Sequence, residues 1–435
     1  MDKSKQRDQD QIKTQLREDS EGILGKVVQV YRHSLEINPN DASAYKNLGD
    51  LLVEQGNLEE AVQAYRHSLE INPNDVDVYN NLGGALVGQG DLEEAVRVYR
   101  HSLEINPNDA DIYYNFGRVL IGLGRLEEAI QVYHQALGIN PDDADVYYYL
   151  GKALTKQGKL EEAIQSYAKA LEINPDLTAV YNNLGPALQK QGRLEEAVQV
   201  YHRALEISPD DARTHNNLGD ALKLQGRYEL AIQAYYQATE INPNYMKAYN
   251  NLGDIFRQQD RLEEAAQAYH RALEIGPSDA NIYNNLGNVL QEQGKLELAI
   301  QAYSRATEIN PKYLQAYNNL GNTFRQQDRS EEAIQAYQQA IGIDADYAEA
   351  HGNLGNLLRE LGRLELAIHA YRKSLSINPN NVAMHYMLAK TKKHGSYDHE
   401  ICAMEALLKN PSIANPQKVD LYFALGKAFE DLQMY

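Results

Sequence analysis

Residues 76–109 read VDVYNNLGGALVGQGDLEEAVRVYRHSLEINPND, and their periodicity decides the architecture. Tyr79, Leu82, Gly83 and Leu86 fall at i, i+3, i+4 and i+7, one face of a helix. Asp75, just before, is a suitable N-cap, and Gly90 can close the helix by taking the left-handed turn. Glu93 and Glu94 then open a second helix, where acids suit the positive end of the dipole. Ala95, Tyr99, Ser102 and Leu103 line its inner side, and Pro107 stops it. Asn80, Asn81 and Gly83 are poor helix formers and cost the first helix about 2 kcal/mol relative to Ala. The small residues Gly83, Ala95 and Ser102 repay part of this by letting two helices approach closely around the ring of Tyr99.

The same pattern runs through most of the chain. Pro39, Pro73, Pro107, Pro141, Pro175, Pro209, Pro243, Pro277 and Pro311 are spaced 34 residues apart. Ala345 takes the next place and Pro379 resumes the series. Gly from 49 to 355, Ala from 61 to 367 and Tyr from 65 to 371 keep the same period. Self-similarity at this length predicts a solenoid in which each unit buries its apolar face against its neighbours. Residues 229–265 and 297–333 match closely at a spacing of 68 and share AYNNLG and FRQQDR, which reads as duplication of a two-unit block.

The pattern resembles the tetratricopeptide repeat. With each unit numbered 1 to 34 from Ala42, that family places an aromatic at 4, Leu at 7, Gly at 8, Ala at 20, an aromatic at 24, a small residue at 27 and Pro at 32. Ten consecutive units over 42–381 match, with His215 and His351 for the aromatic at 4, Phe116 for Leu and Ala345 for Pro. A half unit precedes them at 24–41. An irregular unit follows at 382–411, and the first helix of an incomplete unit at 412–435. Residues 1–23 read as a polar tail or frayed helix. The resemblance implies an all-α fold, a right-handed superhelical solenoid of stacked antiparallel helix pairs whose first helices line a concave groove.

Composition excludes several function classes. The chain has 435 residues, 61 Asp and Glu against 42 Lys and Arg, and a net charge of −19. That argues against general affinity for nucleic acid or an anionic membrane. The start is polar, no apolar run approaches the roughly 20 residues of a spanning helix, and a cytoplasmic protein is expected. Cys402 is the single cysteine, so no disulfide forms within the chain, and it reads as a buried structural thiol. His33, His67 and His101 recur at position 26, too far apart on stacked helices to share a metal ion. No phosphate loop or catalytic set stands out, so neither an enzyme, a cofactor nor a metal is expected.

The candidate binding residues lie opposite the core. At 100° per residue, positions 7, 8 and 11 fall within about 60° of position 4, while position 6 falls at about 200°. Position 6 carries Asn47, Asn81, Asn115, Tyr149, Asn183, Asn217, Asn251, Asn285, Asn319 and Asn353. One reading is an amide ladder for the backbone of an extended peptide, since an amide both donates and accepts. The column resembles that of the repeat domain of O-linked N-acetylglucosamine transferases. The other reading is a set of hydrogen bonds to the neighbouring helix. Positions 2, 5, 6, 9, 12 and 13 of the ten units hold 11 basic and 10 acidic residues, so the acidity sits on the other faces. Tyr114, Arg118, Tyr148, Tyr149 and Lys152 form an aromatic and basic group. Position 12 turns from Val53, Val87 and Ile121 to Lys223, Arg257, Arg325 and Arg359.

These features predict a non-catalytic scaffold that binds an extended protein or peptide segment in the groove. The alternative is the substrate-recruiting region of a larger transferase. The end of the chain, AMEALLKNPS and DLYFALGKAFEDL, resembles the junction between tetratricopeptide arrays and sulfotransferase domains of some bacterial proteins. The last helix, with Tyr422, Leu425, Gly426 and Phe429 on the expected core face, is a candidate for self-association. Pro186, at position 9, is expected to kink its helix.

Overall fold

A computed structural model describes residues 22–433; most of the polar tail expected over 1–23 lies outside the described residues. The described residues are helices joined by short turns, without a strand. No helix among them is long and apolar enough to cross a membrane. Two compact units, Met1–Gln225 and Gly226–Tyr435, are built on the same plan. In the first, α1 (22–37) is followed by the first-helix and second-helix pairs α2 (Ala42–Glu54) and α3 (Leu58–Ile71), α4 (Val76–Gln89) and α5 (Leu92–Ile105), and α6 (Ala110–Gly122) and α7 (Leu126–Ile139). The pairs α8 (Ala144–Gln157) and α9 (Leu160–Ile173), and α10 (Thr178–Lys190) and α11 (Leu194–Ile207) come next, then α12 (Ala212–Leu224). The second unit holds α13 (Tyr228–Ile241), α14 (Met246–Gln258), α15 (Leu262–Ile275), α16 (Ala280–Glu292), α17 (Leu296–Ile309), α18 (Leu314–Gln326) and α19 (Ser330–Ile343). It ends with α20 (Ala348–Glu360), α21 (Leu364–Ile377), α22 (Val382–Thr391), α23 (His399–Lys409) and α24 (Asn415–Asp431).

The local signals act as their chemistry dictates. The Asp75 carboxylate accepts from the backbone N–H of Val78 at 3.2 Å, and Gly90 sits at φ 86° at the end of α4. Asp41, Asp109, Asp143, Asp211 and Asp279 cap their first helices in the same way. The tyrosine at position 24 is fully buried in every regular repeat, and the glycine at position 8 exists to receive it. A Cβ built on Gly151 would lie 2.5 Å from the Tyr167 ring, and the distance is 2.6 Å from Gly253 to Tyr269 and 2.7 Å from Gly355 to Tyr371. No larger residue fits without moving the ring. Several of these phenols donate to position 9: Tyr65 to Asp50 at 2.7 Å, Tyr303 to Asn288 at 2.7 Å and Tyr371 to Asn356 at 2.9 Å.

Within each unit, successive first helices touch one another: α4 with α6, α6 with α8 and α10 with α12 in the first unit, α14 with α16, α16 with α18 and α18 with α20 in the second. The second helices of the regular repeats touch only first helices. The first helices therefore line the tighter, inner side of each stack. This is the all-α superhelical repeat class expected from the sequence.

Helix α10 runs from Thr178 to Lys190 through Pro186, which removes one donor but does not end the helix. One local expectation is corrected. Helix α24 does not bury Tyr422 and Gly426. It packs on α22 and α23 through Leu421, Ala424, Leu425 and Ala428, while Tyr422 and Phe423 are about two-thirds exposed. The stripe at 421, 424, 425 and 428 has the same helical spacing but is turned by one residue. Ile401, Met404 and Leu407 of α23 complete that cluster.

Candidate functional site

The inner face of the first unit carries the aromatic and basic group in one place. Helix α6 supplies Tyr114 and Arg118 at a spacing of four, so both project from the same side. Helix α8 supplies Tyr148, Tyr149 and Lys152. The Tyr149 ring lies edge-on to Tyr114 at 5.4 Å and to Tyr148 at 5.1 Å. The Arg118 guanidinium sits over Tyr114 at 5.5 Å and Tyr149 at 5.4 Å; the Lys152 ammonium sits over Tyr148 at 5.3 Å and Tyr149 at 4.7 Å. Both cations are thus held on ring faces, an arrangement that positions a charge without neutralising it. Burial, with the neighbouring Tyr149 phenol, pushes Tyr114 up to about 12 against the opposing pull of Arg118. Burial also raises Tyr148. Beside the group lies an open groove of about 480 Å³ lined by Val87, Asn115, Arg118, Ile121, Tyr149 and Lys152.

The asparagine column forms a hydrogen-bonded chain along the inner face. The position 6 amide donates to position 5 of the preceding repeat: Asn115 to Asn80 at 3.0 Å, Asn217 to Asn182 at 3.1 Å, Asn319 to Asn284 at 3.1 Å and Asn353 to Asn318 at 2.9 Å. Where Tyr148 stands at position 5, Asn183 donates to its hydroxyl at 3.2 Å and to the Ala179 carbonyl at 2.7 Å. Asn81 donates to Asp50 at 2.8 Å. Asn47 is exposed and makes no hydrogen bond within the described residues, Asn285 is half-buried, and Asn251 is buried. The amide N–H groups therefore serve the stack. The Oδ1 atoms of Asn115, Asn183, Asn217, Asn319 and Asn353 accept nothing from the described residues.

At position 5, Asn182, Asn284 and Asn318 are buried and hydrogen-bonded. Asn182 donates to Asp211 at 3.0 Å and to the Thr214 hydroxyl at 2.8 Å; Asn318 donates to Glu349 at 2.9 Å. Burial opposes ionisation of Asp211, but the bonds from Thr214, Asn182 and the Arg213 backbone hold it below the usual carboxylate range. The signal was present in the recurring Asn-Asn doublet, whose two amides are donor and acceptor of consecutive links.

The predicted basic residues divide into two classes. In the second unit Arg257 forks onto Glu292 at 2.6 and 3.0 Å, and Arg325 pairs with Glu360 at 3.4 Å. Arg359 lies against Tyr371 and its Nε has no acceptor. In the first unit Arg118, Lys152 and Lys223 take part in no ion pair among the described residues. The histidine column does not converge: His33, His67 and His101 each bond the glutamate three residues on, at 3.1, 2.9 and 3.2 Å.

A cluster outside the repeat pattern had no signal in the periodicity. Lys392 donates to Asp398 at 2.5 Å and to Glu400 at 2.6 Å, and Arg372 donates to Glu400 at 2.7 Å. Buried His394 lies 3.8 Å from Asp398. Among the described residues His394, Asp398 and Glu400 are the one group close enough together to hold a metal ion. The Lys392 ammonium bridges both carboxylates, and with Arg372 two cations balance two anions, while both ring nitrogens of buried His394 take no hydrogen bond from the described residues. Cys402, expected to be buried, is exposed. The buried face of α23 is set by Ile401, Met404 and Leu407, and a residue one step from Ile401 points about 100° away.

The family described as the cilia and flagella-associated protein 70 C-terminal domain matches residues 7–244 and 211–411. Comparison with curated proteins gives no match. Among solved structures, YrrB, described as a tetratricopeptide protein with an unusual peptide-binding site, is 27% identical over 43% of this chain and 96% of its own, with a TM-score of 0.38. MamA of Desulfovibrio magneticus RS-1 is 26% identical over 39% of this chain and 96% of its own, with a TM-score of 0.37. Yeast Tom70 is 16% identical over 90% of this chain and 96% of its own, with a TM-score of 0.45. With the repeat geometry in place and the family match running from residue 7 to 411, the chain belongs to this tetratricopeptide-repeat family.

Proposed function

We propose that this tetratricopeptide array, a protein-interaction scaffold in general outline, binds an extended polypeptide segment along the inner face of its first helices. The observation that carries the reading is the convergence of Tyr114, Arg118, Tyr148, Tyr149 and Lys152 beside an open groove. Tyrosine and arginine are the side chains that anchor interfaces. The unengaged Asn oxygens next to them can accept backbone N–H groups whatever the peptide sequence. Random peptides displayed on phage supply the test. Synthetic copies of those selected by the protein should lose at least about tenfold in affinity for Tyr149→Asn, a central anchor removed. Peptides that bind this variant as tightly as the parent, or that protect the second helices in amide exchange, would refute the groove.

Self-association through α24 is the second element of the reading, with another copy of the chain as the occupant. Val419, Tyr422 and Phe423 form an exposed apolar strip, and such strips promote association. Sedimentation velocity across a concentration series should show a reversible oligomer that Phe423→Glu abolishes. A chain that stays monomeric throughout the series removes this part.

A further inference from the structure

We infer that the segment bound along α6, α8, α10 and α12 is acidic, with carboxylates seated first on Arg118 and Lys152 and then along Lys156, Lys190, Arg213 and Lys223. The inference rests on the reading of this face as a peptide groove and names the chemistry of its ligand.

The six side chains occupy inner-face positions of four successive repeats, and none forms an ion pair among the described residues. Their only counter-charges at those positions are Asp111, Asp145 and Asp220, and Asp220 is engaged within the protein. Burial first, and the Asp145 charge as a smaller contribution, raise Tyr114 and Tyr148, so this acid acts on the tyrosine group. The rest of the chain is strongly acidic, with a net charge of −19. A negatively charged segment is therefore repelled by the other faces and attracted to this one, which gives orientation as well as affinity. The second unit provides an internal comparison. Arg257 and Arg325 stand at the same position 12 as Lys223, yet each is paired with a glutamate 35 residues on. Basic residues on this face are thus readily silenced when no ligand needs them, and those between Arg118 and Lys223 are left open.

Geometry favours a peptide carboxylate over a nucleic acid. A single strand would need bare aromatic faces for its bases. Here the faces of Tyr114, Tyr148 and Tyr149 are covered by the protein's own cations. Arg118 and Lys152 take part in no hydrogen bond or ion pair among the described residues, so their donors are available for a charge-assisted bond to a carboxylate. Asn115, Asn183 and Asn217 supply acceptors for the backbone N–H groups between the acidic side chains. Four first helices about 10 Å apart are spanned by an extended segment of about 10 residues at ~3.3 Å each.

The probe is a fluorescein-labelled peptide of about that length in which Glu alternates with Gly and Ala. Its isosteric partner carries Gln for every Glu, and a single-stranded oligonucleotide serves as a third ligand. Anisotropy titrations of the full chain should show the Glu peptide binding at least about tenfold tighter than the Gln peptide. That preference should shrink as salt rises. Lys152→Gln should abolish most of the preference. Lys190→Gln together with Lys223→Gln should reduce it too, and neither of those lysines packs on a ring, so folding is not at stake. Equal binding of the two peptides would leave the groove standing and overturn the charge inference. Absence of binding by either peptide would overturn both. Tighter binding of the oligonucleotide than of the Glu peptide would overturn the assignment to a protein ligand.

Discussion

Three alanine substitutions in one column separate the structural from the ligand-facing role of its asparagines. Asn47 is exposed and bonds nothing within the described residues. Asn47→Ala should stabilise the protein by about 0.5 kcal/mol, the difference in helix propensity. Asn217 donates to Asn182 Oδ1, and the Thr214 hydroxyl 3.1 Å away can turn to that oxygen from Asp211 once the amide is removed, so it is not left orphaned by the change. A neutral hydrogen bond contributes about 1 kcal/mol net, and after the propensity gain Asn217→Ala should cost roughly 0.5 kcal/mol. Asn353 is the donor to Asn318 Oδ1, which is 1% exposed and takes no other bond from the described residues. Leaving a buried carbonyl unpaired costs about 1–3 kcal/mol, so Asn353→Ala should destabilise by about 1–2 kcal/mol after the same correction. Urea unfolding followed by far-ultraviolet circular dichroism gives the three midpoints. Repeat arrays depart from two-state behaviour, so the comparison rests on the order of the midpoints at matched slope. Equal shifts for all three, or a gain for Asn353→Ala, would refute the hydrogen-bonded chain and return the whole column to the groove.

Gly151→Ala should cost about 1–3 kcal/mol, because the new methyl would stand 2.5 Å from the buried Tyr167 ring; a melting temperature equal to the parent's would show that the ring has room to move. Asp328 holds φ 58° where most repeats have glycine, so Asp328→Gly should raise stability by about 1 kcal/mol, read as a higher urea midpoint at unchanged slope. Burial holds His385 below its ordinary value against its bond to the Pro379 carbonyl and the nearby Glu400 charge. The unfolded chain therefore takes up this proton first as pH falls. The contribution is complete above about 6.5 and declines from there toward the lower folded value. Tyr181 makes the equivalent bond to the Pro175 carbonyl at 3.0 Å, so His385→Tyr should keep the contact and flatten the melting temperature across that window; an unchanged slope would assign the pH dependence to other groups.

The fold was legible because a few residue types carry it. Gly, Ala and Tyr at fixed offsets specify one contact, and that contact recurs in repeat after repeat. The aromatic and basic group was legible for a similar reason: Tyr114 and Arg118, and Tyr148 and Lys152, stand four apart on known helices. What periodicity could not show was which partner each polar group takes across a repeat boundary. Arg257 and Lys223 occupy the same position, and only the residue 35 further on, Glu292 in one case, separates a silenced cation from an open one. The irregular end was read least well. Once the period lapses after Pro379, the face of α24 and the orientation of Cys402 depend on the packing of α22, α23 and α24, which no repeat template describes.

The links between Asn residues 35 apart give the chain something like a reading frame. Adding or removing one whole unit of 34 residues restores every donor to an acceptor, every ring to its glycine and every cap to its helix. One residue more or fewer misaligns all of them beyond the join. Length can thus change in descent only by whole repeats, and a splice is silent only where the charges on either side also match. The duplicated block bears the mark of such an event. The ion pair of Arg257 with Glu292 recurs 68 residues on as Arg325 with Glu360, so a register shift of two whole units returns each of these cations to a counter-charge.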